Sequence, residues 1–471
     1  MTLAVLPPDN RLLSGCGPTL ISNDFRLLGC DMHICLPELA LVLLVGPSGA
    51  GKSTFARRHF QATEVVSSDH CRALVCDDEN EQSATADAFE ILHLIAAKRL
   101  KNGRFTVVDA TNVQAEARRS LIALARHYHC PAVALVLDMP LWLCLERNAN
   151  RRDRDLSDAV IRNHRGQLQA SLPGLAKEGF QQIQVFRGFA ELENLRLSRQ
   201  PAQSNQKSET GPFDLVGDVH GCFDELVALL KVLGYRISRS DAGFEVYHPE
   251  GRKLIFLGDL VDRGPKTPEV LRLAMDAVAS GDAFCVAGNH DQKLIKALQG
   301  RQVSMSHGLA ESMRQLESES EGFRAAVVDF LQARASHYVF DGGKLVAVHA
   351  GLREDMHGRC SGKVQSFCLY GETSGATDEF GLPVRHPWAA RYRGRAMVVY
   401  GHTPAAEPQW LNNTLCIDTG CVFGGRLTAL RYPENELVSV PALAQYFKPT
   451  RPLTLAPLPA EAGLGSRPII S

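Results

Sequence analysis

Two sets of residues in this 471-residue chain have the types and spacing to handle phosphate. The first is Gly46-Pro47-Ser48-Gly49-Ala50-Gly51-Lys52-Ser53-Thr54. Gly46, Gly49 and Gly51 let backbone N–H groups wrap phosphate oxygens, and a helix opening at Ser53-Thr54 adds the partial positive charge of its N-terminus. Lys52 would reach the β/γ oxygens of a nucleoside triphosphate and Ser53 would hold Mg²⁺. The second set is Gly217-Asp218-Val219-His220-Gly221, Gly258-Asp259 to Asp262-Arg263-Gly264, Gly288-Asn289-His290-Asp291, His349 and Gly401-His402. Asp, Asn and His in this mixture are the donors of a site for two divalent ions, one of them shared through a bridging carboxylate. One set would put phosphate on; the other would take it off.

The elements around the first set alternate strand and helix. Leu41–Val45, Val65–Ser67, Phe105–Val108 and Ala132–Leu137 read as buried strands, and Phe89, Leu92, Ala96 and Leu100 recur at helical spacing. That pattern implies a parallel α/β sheet. The glycine loop alone specifies only triphosphate binding, so the acceptor must be read elsewhere. Asp69, after Val65-Val66-Ser67-Ser68, either faces the γ-phosphate as a base or caps a helix. Arg147, Arg151, Arg152 and Arg154 either close over the donor phosphates or form a solvated face with Asp153, Asp155 and Asp158.

In the second set, strands at Phe213–Val216, Leu254–Leu257, Phe284–Ala287, Leu345–Val348, Met397–Tyr400 and Leu415–Ile417 each deliver a polar motif at the C-terminal end. Ligands belong at that edge of an α/β sheet. Between two metal motifs, residues 301–337 read as a polar helical insert. The polar stretch Arg196 to Gly211 reads as a linker, and the proline-rich stretch after Tyr432 as an extended tail. The expected division is therefore an extension over 1–35, a P-loop domain over 36–195, a linker over 196–211, a phosphoesterase domain over 212–432 and a tail over 433–471.

Composition sets the broad class. Hydrophobic residues at 45% with 22% charged describe a soluble globular protein, and no apolar run is long enough to span a membrane. Met1 to Leu6 lacks the basic start of a signal peptide. The 13 cysteines include no Cys-x-x-Cys pair, which argues for reduced thiols and a cytoplasmic setting. A net charge of −1 gives no global nucleic-acid footprint, so any polynucleotide must be held by local arginines.

Ser67-Ser68-Asp69, Cys71-Arg72, Asp77-Asp78-Glu79-Asn80, Val107-Val108-Asp109-Ala110-Thr111-Asn112 and Leu145-Glu146-Arg147-Asn148 resemble the kinase module of the bacterial RNA-repair polynucleotide kinase–phosphatases. The resemblance implies Asp69 as general base on a polynucleotide 5′-OH and Arg72 beside it on the substrate. It implies Arg147 and Arg151, four apart and hence on one helical face, as lid arginines on the phosphate of ATP. Asp109 is open between a structural and a functional role.

The ordered Asp/Asn/His motifs are similar to those of calcineurin-type metallophosphoesterases. That resemblance implies Asp218, His220 and Asp259 on a first metal, with Asp259 bridging to a second held by Asn289, His349 and His402. The metals would be Mn²⁺ or similar ions. It implies His290 as an acid oriented by Asp262, Arg263 as a clamp on substrate phosphate, and Asp418 lining the site. The loop Leu369-Tyr370-Gly371-Glu372-Thr373 through Thr377-Asp378-Glu379-Phe380-Gly381-Leu382-Pro383 looks typical of the repair group and sits where a substrate cap belongs.

The reading is a 5′-OH kinase joined to a 2′,3′-cyclic or 3′-phosphatase acting on RNA ends, with DNA open. The alternative is a phosphoprotein or dinucleoside-polyphosphate phosphatase joined to a small-molecule kinase. Repair relatives often continue into a ligase, yet no Lys-x-Asp-Gly signature occurs in this chain. Joining would fall to a separate ligase or another RNA-modifying repair partner.

Overall fold

The computed structural model describes residues 20–21, 32–151, 156–241, 243–380, 382–450 and 453. Contacts divide the chain into two units. One comprises residues up to Asn205 together with Asp355–Gln365; the other holds Gln206–Glu354 and the residues from Ser366 onward.

The first unit is built on β1 (Met32–Pro37), β2 (Leu41–Val45), β3 (Val65–Ser67), β4 (Thr106–Asp109), β5 (Ala132–Leu137), β6 (Gln182–Phe186) and β7 (Leu195–Gln200). Its main sheet runs β6-β5-β2-β4-β3, all parallel, with Leu20–Ile21 beside β6. Strands β2 and β5 are buried at every position, as strands covered by helices on both faces must be. Leu44 and Ser67 both pair with Asp109. The start of the glycine loop and Asp109 therefore share one C-terminal sheet edge.

The second unit stacks two sheets. Its strands include β8 (Phe213–Val216), β9 (Lys253–Phe256), β10 (Ala283–Cys285), β11 (His337–Phe340), β12 (Leu345–Val348), β13 (Thr373–Thr377), β14 (Pro383–Arg385), β15 (Met397–Tyr400), β16 (Thr414–Cys416), β17 (Arg426–Tyr432) and β18 (Glu436–Pro441). One sheet runs β10-β9-β8-β17-β18 and the other has β16-β15-β12-β11 as consecutive neighbours. Phe213, Leu215 and Ile255 from the first sheet meet Leu345, Ala347, Val399 and Leu415 from the second in one buried cluster. The other face of the first sheet is covered by helices, through Leu226, Leu230, Val270 and Leu271 among others. The 301–337 insert contains helices at Leu309–Glu317 and Glu321–Gln332.

Three expectations need correction. The expected linker begins as strand β7, which pairs in parallel with β1 over Met32–Leu195 to Pro37–Gln200. Leu195 and Leu197 join Ile34 and Leu36 in the core, so two apolar side chains outweigh the Ser/Gln composition. For the same reason β1 lies partly inside the expected extension, as does the Leu20–Ile21 strand beside β6. The expected tail is not extended at its start. Strand β18 pairs with β17 from Arg431–Glu436 to Arg426–Pro441, and Tyr446 and Phe447 pack against the second unit's core. Of the later prolines, Pro452, Pro457, Pro459 and Pro468 lie outside the described residues.

The first unit also contains a segment that sequence order places far away. Arg359 donates to Tyr128 O (2.6 Å), Leu100 O (2.9 Å) and Lys101 O (2.9 Å), and Ser361 Oγ lies 3.1 Å from His129 Nδ1. Those carbonyls end the helices Thr85–Lys101 and Ala115–His127. The guanidinium thus caps two helix C-termini at once.

Candidate active sites

The glycine loop of the first unit joins β2 to α1 (Lys52–His59). Gly49 has φ 82°, and a Cβ there would fall 2.2 Å from Cys144 O, so only glycine fits. Lys52 Nζ donates to Gly46 O (2.9 Å) and Pro47 O (2.8 Å), folded over its own loop. Burial pushes its pKa down to about 8, with Asp109 and Asp69 pulling the other way. Asp109 is buried at the end of β4, where burial raises its pKa while Lys52 and a hydrogen bond with Ser53 lower it. A hydroxyl and a carboxylate facing each other beside the loop form a pair suited to Mg²⁺. Asp109, left open by the sequence, therefore belongs to the P-loop neighbourhood.

Asp69 is the second residue of α2 (Ser68–Cys76), and the cap of that helix is Ser67, whose Oγ accepts from His70 N at 3.4 Å. The capping alternative for Asp69 falls away. Its charge acts on both Lys52 and Asp109. Arg72, expected on the substrate, is instead 4% exposed and committed to Asp69 Oδ1 (3.0 Å) and Glu79 O (2.6 Å). One helical turn separates the pair, which brings the guanidinium onto the carboxylate and orients it.

Arg147, in α3 (Leu141–Ala149), donates to Ala50 O at 3.3 Å and lies 5.2 Å from the Phe189 ring. The helix stops at Ala149, so Arg151 does not share a helical face with Arg147 as expected. Its charge nevertheless acts on Lys52. Arg152 and Arg154 lie outside the described residues.

In the second unit the polar motifs converge. The ligand atoms of His220, Asp259 and His290 lie within 4.8 Å of one another, as do those of Asp259, His349 and His402. Asp259 belongs to both groups, the place a bridging carboxylate must take. Its Oδ1 also accepts from His290 N at 2.9 Å, at the start of α4 (Asn289–Leu298). A Cβ on Gly288 would lie 2.3 Å from that oxygen, and one on Gly401 would lie 2.0 Å from Asp218 Oδ1. Each glycine is there because backbone must approach a carboxylate. His220, Asp259, Asp262, Arg263 and His402 all have positive φ, a concentration of backbone strain typical of a working site.

The donor set fits divalent cations. His349 Nδ1 faces Leu257 O at 2.9 Å, which leaves Nε2 as a bare lone pair. That lone pair faces Asn289 Oδ1 at 2.9 Å and Asp259 Oδ2 at 3.4 Å. His402 Nδ1 lies 2.9 Å from the same Nε2, so nitrogen and oxygen donor atoms from four side chains converge there, a set suited to a divalent cation. His220 repeats the pattern, with Nδ1 on Val261 O (2.7 Å) and Nε2 turned inward. Asp218 is pushed up by burial and by Asp418 and Asp259, and burial raises Asp259 and Asp262 to about 7. Burial lowers His349 to about 4 and pushes His220 and His402 well down. Buried carboxylates beside neutral imidazoles are the electrostatic signature of a site for positive metal.

His290 Nδ1 lies 2.6 Å from Asp262 Oδ2, and Arg263 contacts His220 Nε2 (2.6 Å) and His290 Nε2 (2.9 Å). Burial and Arg263 hold the His290 pKa well below its usual value. Asp418 is buried, accepts from Gly420 N at 3.0 Å and raises Asp218. Sequence reasoning missed Arg385, at the end of the hairpin formed by β13 and β14. It donates to Thr403 Oγ1 at 2.9 Å, and its charge acts on His349, His402 and Asp418. The cap-like loop was legible, but no motif marked this arginine.

With this geometry in place, comparisons agree on class. Residues 41–173 match an AAA domain and residues 211–406 match the calcineurin-like phosphoesterases. Bis(5′-nucleosyl)-tetraphosphatase PrpE (asymmetrical) of Anoxybacillus flavithermus is 46% identical, over 50% of this chain and 96% of that protein. The protein of the same name from Bacillus subtilis is 45% identical, over 50% of this chain and 96% of its own length. These relatives correspond to the phosphoesterase half. A solved serine/threonine phosphatase of Saccharomyces cerevisiae is 14% identical over 52% of this chain and 84% of that chain, at a TM-score of 0.37. The chain belongs, through its second unit, to the calcineurin-like phosphoesterase family, whose chemistry implies divalent metals. Its first unit is a P-loop domain of kinase-like type. No helix among the described residues is long and apolar enough to cross a membrane.

Proposed function

We propose that the chain is an end-healing enzyme. The P-loop unit transfers the γ-phosphate of ATP, with Mg²⁺ on Ser53 and Asp109, to a polynucleotide 5′-OH. The phosphoesterase unit removes a 2′,3′-cyclic or 3′-phosphate. The observation that carries the kinase half is Asp69, held by Arg72 at 3.0 Å and close enough for its charge to act on Lys52. A carboxylate so placed can take the proton from an attacking hydroxyl, a need that a simple nucleotide switch does not have. Lys52, Arg147 and Arg151 would hold charge on the transferring phosphoryl group.

In the other unit Asp218, His220, Asp259, Asn289, His349 and His402 would hold two metals, Mn²⁺ by the N/O balance of the donors. Bound there, the metals would supply a water acidic enough to attack at neutral pH. Arg263 clamps the phosphate; as it leaves His290 Nε2 for that anion, the imidazole, oriented by Asp262, is freed to take up a proton and give it to the leaving oxygen. RNA ends are the substrate, and joining falls to a separate ligase.

A second reading for this half has a specific observation behind it. Relatives 46% and 45% identical over nearly their whole length are named asymmetrical bis(5′-nucleosyl)-tetraphosphatases. For the phosphoesterase alone, that reading has the closer support. The two are separated by giving the protein Mn²⁺ with either a 3′-phosphate RNA or diadenosine tetraphosphate. ATP and a 5′-OH RNA test the kinase. Hydrolysis of the tetraphosphate alone, with no labelled RNA 5′ end, would defeat the end-healing reading.

A further inference from the structure

Arg263 is held from two sides. Its Nη atoms meet His220 and His290, and its guanidinium carbon lies 5.1 Å from the Phe423 ring and 5.9 Å from the Phe447 ring. The two rings are 6.4 Å apart, inclined at 59°. Phe423 follows the Asp418 turn, but Phe447 comes from beyond β18, in the segment whose composition reads as a tail.

That segment is docked by specific bonds. Tyr446 N and Phe447 N both donate to Val422 O, at 3.1 and 3.0 Å, and Ala442 N donates to Gly425 O at 2.9 Å. Leu443 N and Tyr446 Oη both reach Glu225 Oε1 at 2.9 Å, and Glu225 is buried. The bond pattern fastens residues 442–447 to the 422–425 turn, so the two phenyl rings are delivered together. Aromatic faces attract a guanidinium without using its N–H donors. Arg263 Nε has no hydrogen-bond partner among the described residues. Rings, unlike carboxylates, do not occupy the N–H donors of a guanidinium, so once a metal takes His220 Nε2 the rings still hold Arg263 while its donors turn to an anion.

We propose that Phe447, with Phe423, is a positioning residue that presents Arg263 to the substrate phosphate, and that residues 442–447 are the strap that carries it. The proposal rests on Arg263 as the phosphate clamp. Phe447 touches no reacting atom and acts through the arginine alone.

A double-mutant cycle on the full chain with Mn²⁺ tests this, using p-nitrophenyl phosphate as probe. Phe447→Ala should raise KM by roughly tenfold with a smaller change in kcat. Phe447→Trp, which keeps an aromatic face, should restore most of the loss. In an Arg263→Ala background, Phe447→Ala should change KM no further. Equal fold-changes in both backgrounds would overturn the proposal, as would a fall in kcat alone tracking a lowered Tm. An Arg263→Ala variant with wild-type KM would instead sink the reading of Arg263 itself, a result distinguishable because it needs no change at Phe447.

Discussion

Asp262 Oδ2 and His290 Nδ1 lie 2.6 Å apart, both side chains buried, with the His290 ring meeting the His220 ring edge-on at a centroid distance of 4.9 Å. The bond fixes which nitrogen of His290 faces the metal-ligand cluster. Asp262→Asn leaves the volume unchanged but removes the carboxylate that orients and supports the imidazole. The expected result is a loss of about 10²-fold in kcat on esters with poor leaving groups. Activated aryl phosphates, which need no proton on departure, should lose far less. Parallel rates on both ester types, with metal content measured alongside, check this.

The P-loop unit predicts a split between two substitutions. Lys52→Ala removes charge stabilisation of the phosphoryl group, while Asp69→Asn removes only the base. Each should lower the rate of 5′-OH RNA phosphorylation by about 10²-fold or more. ATP affinity, followed by a fluorescent analogue, should fall in the first and hold in the second. Wild-type phosphorylation by Asp69→Asn would remove Asp69 from the mechanism.

Glu64 gives a pH dependence with a definite sign. Arg199 pairs with its two carboxylate oxygens at 2.7 and 2.6 Å, and those bonds hold its pKa below the usual value of 4.5. A depressed folded pKa contributes stability that is fully present above the unfolded value and is lost as pH falls through the folded one. Glu64→Gln should therefore cost about 1 kcal/mol near neutrality, small because the pair is partly exposed. The two proteins should converge in acid below the Glu64 pKa. Denaturant midpoints across that range measure it, and a constant gap at all pH values would contradict it.

Arg359 predicts that the first unit depends on a distant segment. Arg359→Ala removes a donor from Tyr128 O, bonded at 2.6 Å, from Lys101 O, and from Leu100 O, which keeps Gly103 N at 3.0 Å. A loss of about 2–3 kcal/mol in the unfolding of that unit is expected. A fragment covering residues 32–205 should be destabilised in the same way, and one ending at Arg196 further still, since it also lacks most of β7 and Arg199. Thermal unfolding of the three proteins tests the order.

Much of both sites is legible in the sequence because each motif is local. A strand, a glycine and a polar residue are consecutive, and burial of the strand on both faces leaves its motif at the sheet edge. Asp218, Asp259, His349 and His402 are found that way, and so is the 46–51 loop. What the sequence does not reveal depends on partners far along the chain. Arg359 lies 259 residues from Leu100, and Arg199 lies 135 from Glu64. Phe447 and Arg385 have no motif around them, and a polar or proline-rich setting hides them as linker, tail or cap. Periodicity and spacing report a residue's own element; only packing decides which guanidinium ends on which carbonyl, ring or carboxylate. The sequence by itself thus determined the sheet edges and which polar residues stand on them. Tertiary structure decided what orients that chemistry, because such contacts are selected by shape and burial between elements that local pattern does not connect.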